Sequence, residues 1–441
     1  MMQRLSPSAL RTLQQFRRDP LTLLHDLSTR GDLVPFRLGP QLMLLVNHPL
    51  LIREVLVTQQ RAFVKGRVLE RAKRLLGEGL LTSEGELHLR QRRLIQPAFH
   101  RQRIATYGEA MVMAAAERSA RWVDGEILDI SREMQAITLQ IVGATLFSAN
   151  TAADADEVFA AMHDLVAMFD LAVLPFADWL FALPLPPVRR FQQVKARLDA
   201  IIYRMIAERR RDPHERDDLL SLLIMAVDHE GDGYRMTDTQ LRDELLTLFL
   251  AGHETTAQAL TWALYLIAQH PPIAEAVTAE LTTVLDGRMP TVADLPALRY
   301  TEWLFAEALR LYPPAWLIGR RAIAPVTIGD VRVSPDTIVI MSPWLIHHDP
   351  RFFPDPYRCD PLRHTPEAQA TRPRFAFFPF GGGPRNCIGE PFAWMEGVLV
   401  LATLAQRWRF LPVPHHPVVL QTGITLRPRY GMQLRLVRHH R

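Results

Sequence analysis

The sequence predicts a mainly α-helical protein with small β-sheets, and three observations carry that expectation. From Pro49 to Gln269 apolar residues recur mostly at helical spacing, with loop signals at Gly77–Glu86, Pro184–Pro187 and Asp228–Tyr234. After Tyr234, Thr237 and Gln240 form a Thr-x-x-Gln capping box. It opens a helix of about 30 residues that ends before His270-Pro271-Pro272. The C-terminal third changes character: prolines crowd between Pro313 and Pro391, and the strand-like pieces there are short.

In chain order, the N-terminal segment reads as short amphipathic helices. Leu33–Leu38 and Gln41–Val46 flank Gly39-Pro40, a hairpin signal. Beyond the long helix, Val326–Val333 and Thr337–Met341 supply further strands. No repeat, low-complexity tract or linker divides the chain, so a single catalytic domain over residues 1–441, with no fused reductase, is expected.

Composition narrows the class. The 441 residues are 48% hydrophobic and 22% charged, which excludes a disordered or fibrous chain. Basic residues number 51 against 47 acidic ones, and a net charge of +4 gives no reason to expect nucleic acid as a partner. Two cysteines, Cys359 and Cys387, exclude a disulfide scaffold and fit a reducing compartment, so a cytoplasmic location is expected. The N-terminal run Met1-Met2-Gln3-Arg4-Leu5-Ser6-Pro7 lacks an apolar secretory core. The apolar stretch Leu245–Ala268 is interrupted by His253, Glu254, Thr255 and Thr256, so no integral membrane anchor is expected.

The strongest chemical signal is Phe380-Gly381-Gly382-Gly383-Pro384-Arg385-Asn386-Cys387-Ile388-Gly389. Three glycines let a backbone approach something large and flat. A helix is expected after it, with Pro391 in the first turn, and its positive end stabilises a thiolate at Cys387. A lone cysteine is wrong for structural zinc, which takes four ligands. Haem iron needs a single proximal ligand, and thiolate is one choice. Cys359 reads as a packing residue.

These ten residues resemble the cysteine-ligand signature of the cytochrome P450 haem-thiolate monooxygenases, Phe-Gly-x-Gly-x-Arg-x-Cys-x-Gly, with every specified position filled. Three other segments support the resemblance, which covers residues 20–437. It implies the P450 fold, a triangular prism with a long central helix over the haem. Cys387 is then the iron ligand, with Phe380 and Gly381 in the cofactor loop. Ala251-Gly252-His253-Glu254-Thr255-Thr256 is similar to the family's oxygen-groove motif, where a mid-helix glycine and threonines widen the helix. By that resemblance Ala251 and Gly252 border the haem. Thr255 donates a hydrogen bond to the reacting oxygen, Glu254 feeds protons, and Thr247 and Ala251 face the substrate. His253 reads as a structural residue on the helix face.

Glu307-Ala308-Leu309-Arg310 resembles the family's buried Glu-x-x-Arg pair, completed by Arg363 of Asp360-Pro361-Leu362-Arg363. The haem propionates need cations or donors. The resemblance assigns them His88 and Arg92, which share a helical face, together with Arg385 and Arg320; Arg320 is favoured over Arg321 by its spacing from Pro313-Pro314. His347 reads as structural.

The implied function is insertion of one oxygen atom from O2 into an apolar substrate, a fatty acid, terpenoid or carotenoid-like molecule, typically as a hydroxylation. The cofactor is haem b (iron protoporphyrin IX). NAD(P)H electrons arrive through a separate ferredoxin or flavodoxin with its reductase. A positive docking surface is expected at Arg90, Arg93, Arg101 and Arg103. A peroxide-dependent or isomerising haem-thiolate enzyme is one alternative, and a haem-based sensor another. Candidate cavity walls are Phe63–Leu80, Phe159–Leu185 (with Phe169, Leu174, Phe176 and Trp179), Thr247–Ala251, Ala315–Ile318 (with Trp316 and Leu317) and Thr422–Thr425 (with Ile424).

Overall fold

The capping box at the head of the long helix forms as the sequence predicts. Gln240 N donates to Thr237 Oγ1 at 3.3 Å, and Thr237 N donates to Gln240 Oε1 at 3.0 Å. The helix spans Asp238–Gln269 and stops where His270-Pro271 withdraws an amide donor. The structure is a computed structural model that describes residues 7–147, 181, 183, 185–211, 218–228, 231 and 233–439. Helices dominate these residues, and the strands are mostly three to six residues long.

The chain divides into two compact units: Met1–Gly66 with Ala115–Met134 and Thr255–Arg441, and Arg67–Ala114 with Gln135–Glu254. The first unit opens with two helices, Pro7–Arg18 and Pro20–Ser28; Asp19 caps the second by accepting from Thr22 N at 3.1 Å. The Leu33–Leu38 and Gln41–Val46 hairpin forms as predicted and continues into a five-stranded sheet. Next to Gln41–Val46 lie Ile338–Met341, Ile318–Ala322 and Phe63–Lys65, in that order.

The pleat explains the unbroken apolar run at 43–46. Met43 and Leu45 pack on one face with Ile338 and Ile340, in a cluster with Leu24 and Trp316. Leu44 and Val46 pack on the other with Val339 and Met341, beside Phe63 and Phe375. A strand buried on both faces has no polar alternation to show. Two further helices of this unit, Arg299–Leu311 and Glu390–Ala405, meet closely: a Cβ on Gly397 would lie 2.4 Å from the Phe305 ring.

The second unit holds Arg67–Leu76, Gly85–Ile95, Pro186–Arg211, Leu219–Met225 and the long helix as far as Glu254. At Ala251-Gly252, where a widening was expected, the chain is α-helical without interruption. A Cβ on Gly252 would stand 3.4 Å from Val142 Cγ2, an ordinary contact, so packing does not demand glycine there. None of the described helices is long and apolar enough to cross a membrane.

Candidate active site

The cysteine loop is built backbone on backbone. Gly383 has φ +72°, and a Cβ on it would lie 2.0 Å from the Leu56 carbonyl oxygen, so only glycine fits. Gly381 N donates to Phe378 O and Cys387 N to Phe380 O, both at 3.0 Å. The following helix begins at Glu390, with Pro391 in its first turn as expected. Cys387 is left exposed, two residues before the helix cap Gly389. Cys359 is its opposite: burial, then the charge of Glu307, pushes its thiol up to about 12. Near neutral pH it is a protonated packing residue, as predicted.

A chain of hydrogen bonds runs from the Glu-x-x-Arg helix to this loop. Glu307 and Arg310 are fully buried and joined twice, at 2.7 and 2.8 Å. Arg310 also donates to the carbonyls of His347 (2.9 Å), Pro356 (2.6 Å) and Arg358 (3.1 Å). His347 Nε2 in turn accepts from Phe378 N at 3.1 Å, and Phe378 O receives Gly381 N. His347 is therefore structural, as the sequence suggested. Burial would raise the Glu307 carboxyl, but Arg310 and His364 together hold it at about 2.

Arg363 joins this pair as expected, its Nε 3.8 Å from Glu307, while its Nη2 donates to the Asp355 carbonyl at 3.0 Å. A nearer partner went unforeseen: His364 Nε2 lies 2.9 Å from Glu307 Oε2. Asp360 N donates to the other carboxyl oxygen at 2.8 Å.

Buried histidines give this network a pH dependence. His347 must be neutral to accept from Phe378; burial first, then His348 and Arg310, lower its pKa well below 6.5. Burial likewise takes His348 down to about 4. In the unfolded chain both titrate near about 6.5. Below that pH the unfolded state binds protons that the folded state refuses, so stability present above 6.5 is lost as pH falls toward 4. Each histidine contributes at most about 1.4 kcal/mol per pH unit in that window. Glu307 adds its own loss only further down, between about 4.5 and 2. Melting curves from pH 7.5 to 4.5 are expected to fall steadily below 6.5, and a flat profile would contradict neutral burial.

Within the same unit the five-stranded sheet separates the two candidate arginines. Arg321 faces Asp336 at 3.1 Å. Arg320 lies on the opposite face, directly across from Lys65, a buried cation that sequence reasoning passed over. A three-residue strand paired with one some 255 residues later carries no local signal. Trp316 and Leu317 were expected to line the cavity. The Trp316 ring lies in the core beside the sheet, its indole N–H bonded to Gly423 O at 3.1 Å, and half-buried Leu317 packs against the same core. Ile424, on the adjoining segment, is 40% exposed. Phe169, Leu174, Phe176 and Trp179 lie outside the described residues.

In the second unit His88 is buried and Arg92 half-buried on the helix Gly85–Ile95, as their shared face predicted. The expected docking cations are partly committed elsewhere. Arg93 holds Asp228 through two hydrogen bonds at 2.7 and 3.1 Å, and Arg90 lies 4.7 Å over the Tyr234 ring. Arg101 is exposed and Arg103 half-buried. On the long helix Leu245–Leu250 are buried, yet Ala251 is exposed in mid-helix. Such an opening in an apolar helix is where a ligand can lie. Thr247, one turn earlier, is buried against the loop after Leu76: a Cβ on Gly79 would meet Thr247 Oγ1 at 2.2 Å.

Glu254 is buried, which rules out a solvent-facing patch; Thr255 is half-buried and His253 sits beside Phe249. Further along, in the first unit, Thr256 faces Glu396, an acid the sequence reading missed. Burial pushes the Glu396 carboxyl well above the ordinary range, with Thr256 opposing, so it is neutral. The available signal was one acid inside the apolar run 395–405.

Against known families, the Cytochrome P450 family model matches residues 8–434. The chain belongs to the cytochrome P450 family. It is 42% identical over 421 residues to cyclooctatin synthase of Streptomyces melanosporofaciens, covering 95% of this chain and 89% of that protein. It is 40% identical to cyclooctat-9-en-7-ol 5-monooxygenase of the same organism, covering 90% and 86%. Pentalenene oxygenase of Streptomyces avermitilis is 38% identical, covering 92% and 91%. The structure titled "Retinoic acid bound cyanobacterial CYP120A1" superposes with a TM-score of 0.86 at 25% identity, covering 97% of this chain and 96% of that one.

The predicted P450 fold and class therefore hold. This P450 is a haem-thiolate monooxygenase that inserts one oxygen atom from O2 into an apolar organic substrate. Its cofactor is haem b, and NAD(P)H-derived electrons reach it through redox partners. The chain's own residues suit that group. In the loop at 381–383 a Cβ has no room on Gly382 or Gly383 and Gly381 has φ +75°, its thiol is exposed beside a helix N-terminus, and the second thiol is partly buried and held protonated.

Proposed function

We propose that this P450 hydroxylates a cyclic terpenoid, with Cys387 as the thiolate that would hold the haem iron and Arg320 and Arg385 as the cations that would meet its propionates. His88 and Arg92 keep the propionate role that the sequence resemblance gives them. The observation that carries the substrate class is near full-length identity of 38–42% to three enzymes named for cyclooctat-9-en-7-ol, cyclooctatin and pentalenene. The apolar helix open at Ala251 supports it. Fatty-acid and carotenoid substrates lose ground on the same comparison.

Haem b, when bound, supplies the iron at which O2 is activated. The residues around it handle protons and orientation. Ala251 and Thr255 are one helical turn apart on one face, so a substrate against Ala251 lies within reach of the Thr255 hydroxyl. Glu254 is rotated by about 100° from Thr255 and buried, so its proton reaches Thr255 Oγ1 through a water or a side-chain movement. Electrons come from a separate ferredoxin or flavodoxin with its reductase, in the cytoplasm. Exposed Arg101 is the docking charge left clear by the contacts of Arg90 and Arg93.

Sesquiterpene and diterpene hydrocarbons or alcohols are expected to shift the iron spin state, and turnover with a reductase system to give monohydroxylated product. Binding by fatty acids alone would sink the terpenoid reading. Thr255→Ala is expected to keep haem and substrate binding while diverting most reducing equivalents to hydrogen peroxide. Unchanged coupling of NAD(P)H use to product in that variant would remove Thr255 from the proton path.

A further inference from the structure

In the second unit the loop after Leu76 is fastened to the long helix by two carboxylates. Asp243 Oδ2 accepts from Glu78 N, and Glu244 Oε2 accepts from Leu80 N, each at 2.8 Å. Gln91 Nε2 holds the Glu78 carbonyl at 2.6 Å, and Thr82 Oγ1 ties back to Gly77 O at 2.6 Å. Asp243 is itself held by Arg242 Nη1 at 2.7 Å, and Arg242 Nε reaches Asp199 at 2.7 Å.

Arg242, Asp243 and Glu244 are thus three consecutive charged residues buried at 4, 6 and 0% exposure. Burying such a run is expensive unless every charge has partners, and charge-assisted bonds to backbone amides are among the stronger ones available. Asp243 and Glu244 lie in the second turn of the helix, beyond the first-turn amides that a cap would satisfy. Their oxygens are given to a different segment of chain.

What this clamp holds in place is Gly79. A Cβ there would stand 2.2 Å from Thr247 Oγ1 and 2.5 Å from Asp243 O, so the loop backbone rests directly on the helix. The Thr247 hydroxyl makes no hydrogen bond among the described residues. Thr145, Thr261 and Thr403 differ: each returns its hydroxyl to the carbonyl four residues back, at 2.7 to 2.8 Å. The loop therefore covers Thr247 by packing alone and is kept there by the two acids. One turn on, along the same helix face, Ala251 is open.

We propose that Asp243 and Glu244 are positioning residues for ligand selection: by pinning the Gly77–Leu80 loop on Thr247 they set the end wall of the space beside Ala251, and with it the length of ligand accepted. The proposal needs a ligand beside Ala251 and is independent of whether that ligand is a terpenoid.

The test uses the haem-loaded Asp243→Asn/Glu244→Gln protein and two readouts. One is hydrogen exchange at the Glu78 and Leu80 amides. The other is titration with imidazole, 4-phenylimidazole and a long-chain N-alkylimidazole, which ligate iron and shift the Soret band whatever the natural substrate is. Exchange at both amides is expected to quicken at least about tenfold. Affinity for the long azole relative to imidazole is expected to change at least about fivefold, with the carbon monoxide spectrum unaltered. Unchanged amide exchange would show that the carboxylates do not hold the loop. Faster exchange with an unchanged azole ratio would make the clamp merely structural. If the double variant does not load haem, the single variants Asp243→Asn, read at the Glu78 amide, and Glu244→Gln, read at the Leu80 amide, are put through the same two measurements and decide in the same way.

Discussion

Arg310→Met is expected to leave little folded, haem-loaded protein. The guanidinium is wholly buried, and its five hydrogen bonds go to the Glu307 carboxylate and to three backbone carbonyls. Methionine fills similar volume but takes from buried Glu307 its two bonds to Arg310, leaving the carboxylate to His364, Asp360 N and the more distant Arg363, at a cost of up to about 3–5 kcal/mol. The carbonyls of His347, Pro356 and Arg358 lose a donor as well, each worth about 1–3 kcal/mol where water cannot replace it. Against a total stability of roughly 5–15 kcal/mol, that sum approaches unfolding.

The usual remedy, removing both charges, is expected to fail here. Glu307→Gln/Arg310→Met removes the anion and keeps an acceptor for Asp360 N, but still leaves the three carbonyls without their donor. Soluble yield, haem content and melting temperature check this; a drop on the order of 10 °C or more is expected for any Arg310→Met protein that folds. Arg310→Met protein melting within a degree or two of the parent would show that the network is dispensable.

Much of the frame was legible because its signals are local. The capping box at Thr237, the stop at His270-Pro271, the hairpin around Gly39-Pro40 and the cysteine loop each lie within a few residues of chain. What escaped depends on partners distant in sequence. The pairing of Phe63–Lys65 with Ile318–Ala322 set Lys65 across from Arg320, and no three-residue run announces its partner. Arg363 matched the family pattern and pairs with Glu307, but spacing could not say that adjacent His364 makes the shorter contact. Arg90 and Arg93 read as free surface charge because Tyr234 and Asp228, more than 130 residues away, were invisible as partners. Gly252 was read as a break in the helix, and the helix runs through it.

The second large effect concerns the thiol. Only Cys387 is exposed, set in a loop that Gly383 seats against the Leu56 carbonyl and next to a helix N-terminus that favours thiolate. Cys359 stands among Glu307, Asp360 and Tyr300, where burial keeps it protonated. Thiolate donation is what gives reduced, carbon monoxide-bound haem its strongly red-shifted Soret band, so this spectrum reports the ligand itself. The decisive measurement is that spectrum for the parent, Cys387→Ala and Cys359→Ala proteins. The band is expected in the parent, to be abolished in Cys387→Ala and to persist in Cys359→Ala. Loss of the band in Cys359→Ala with its survival in Cys387→Ala would contradict the account.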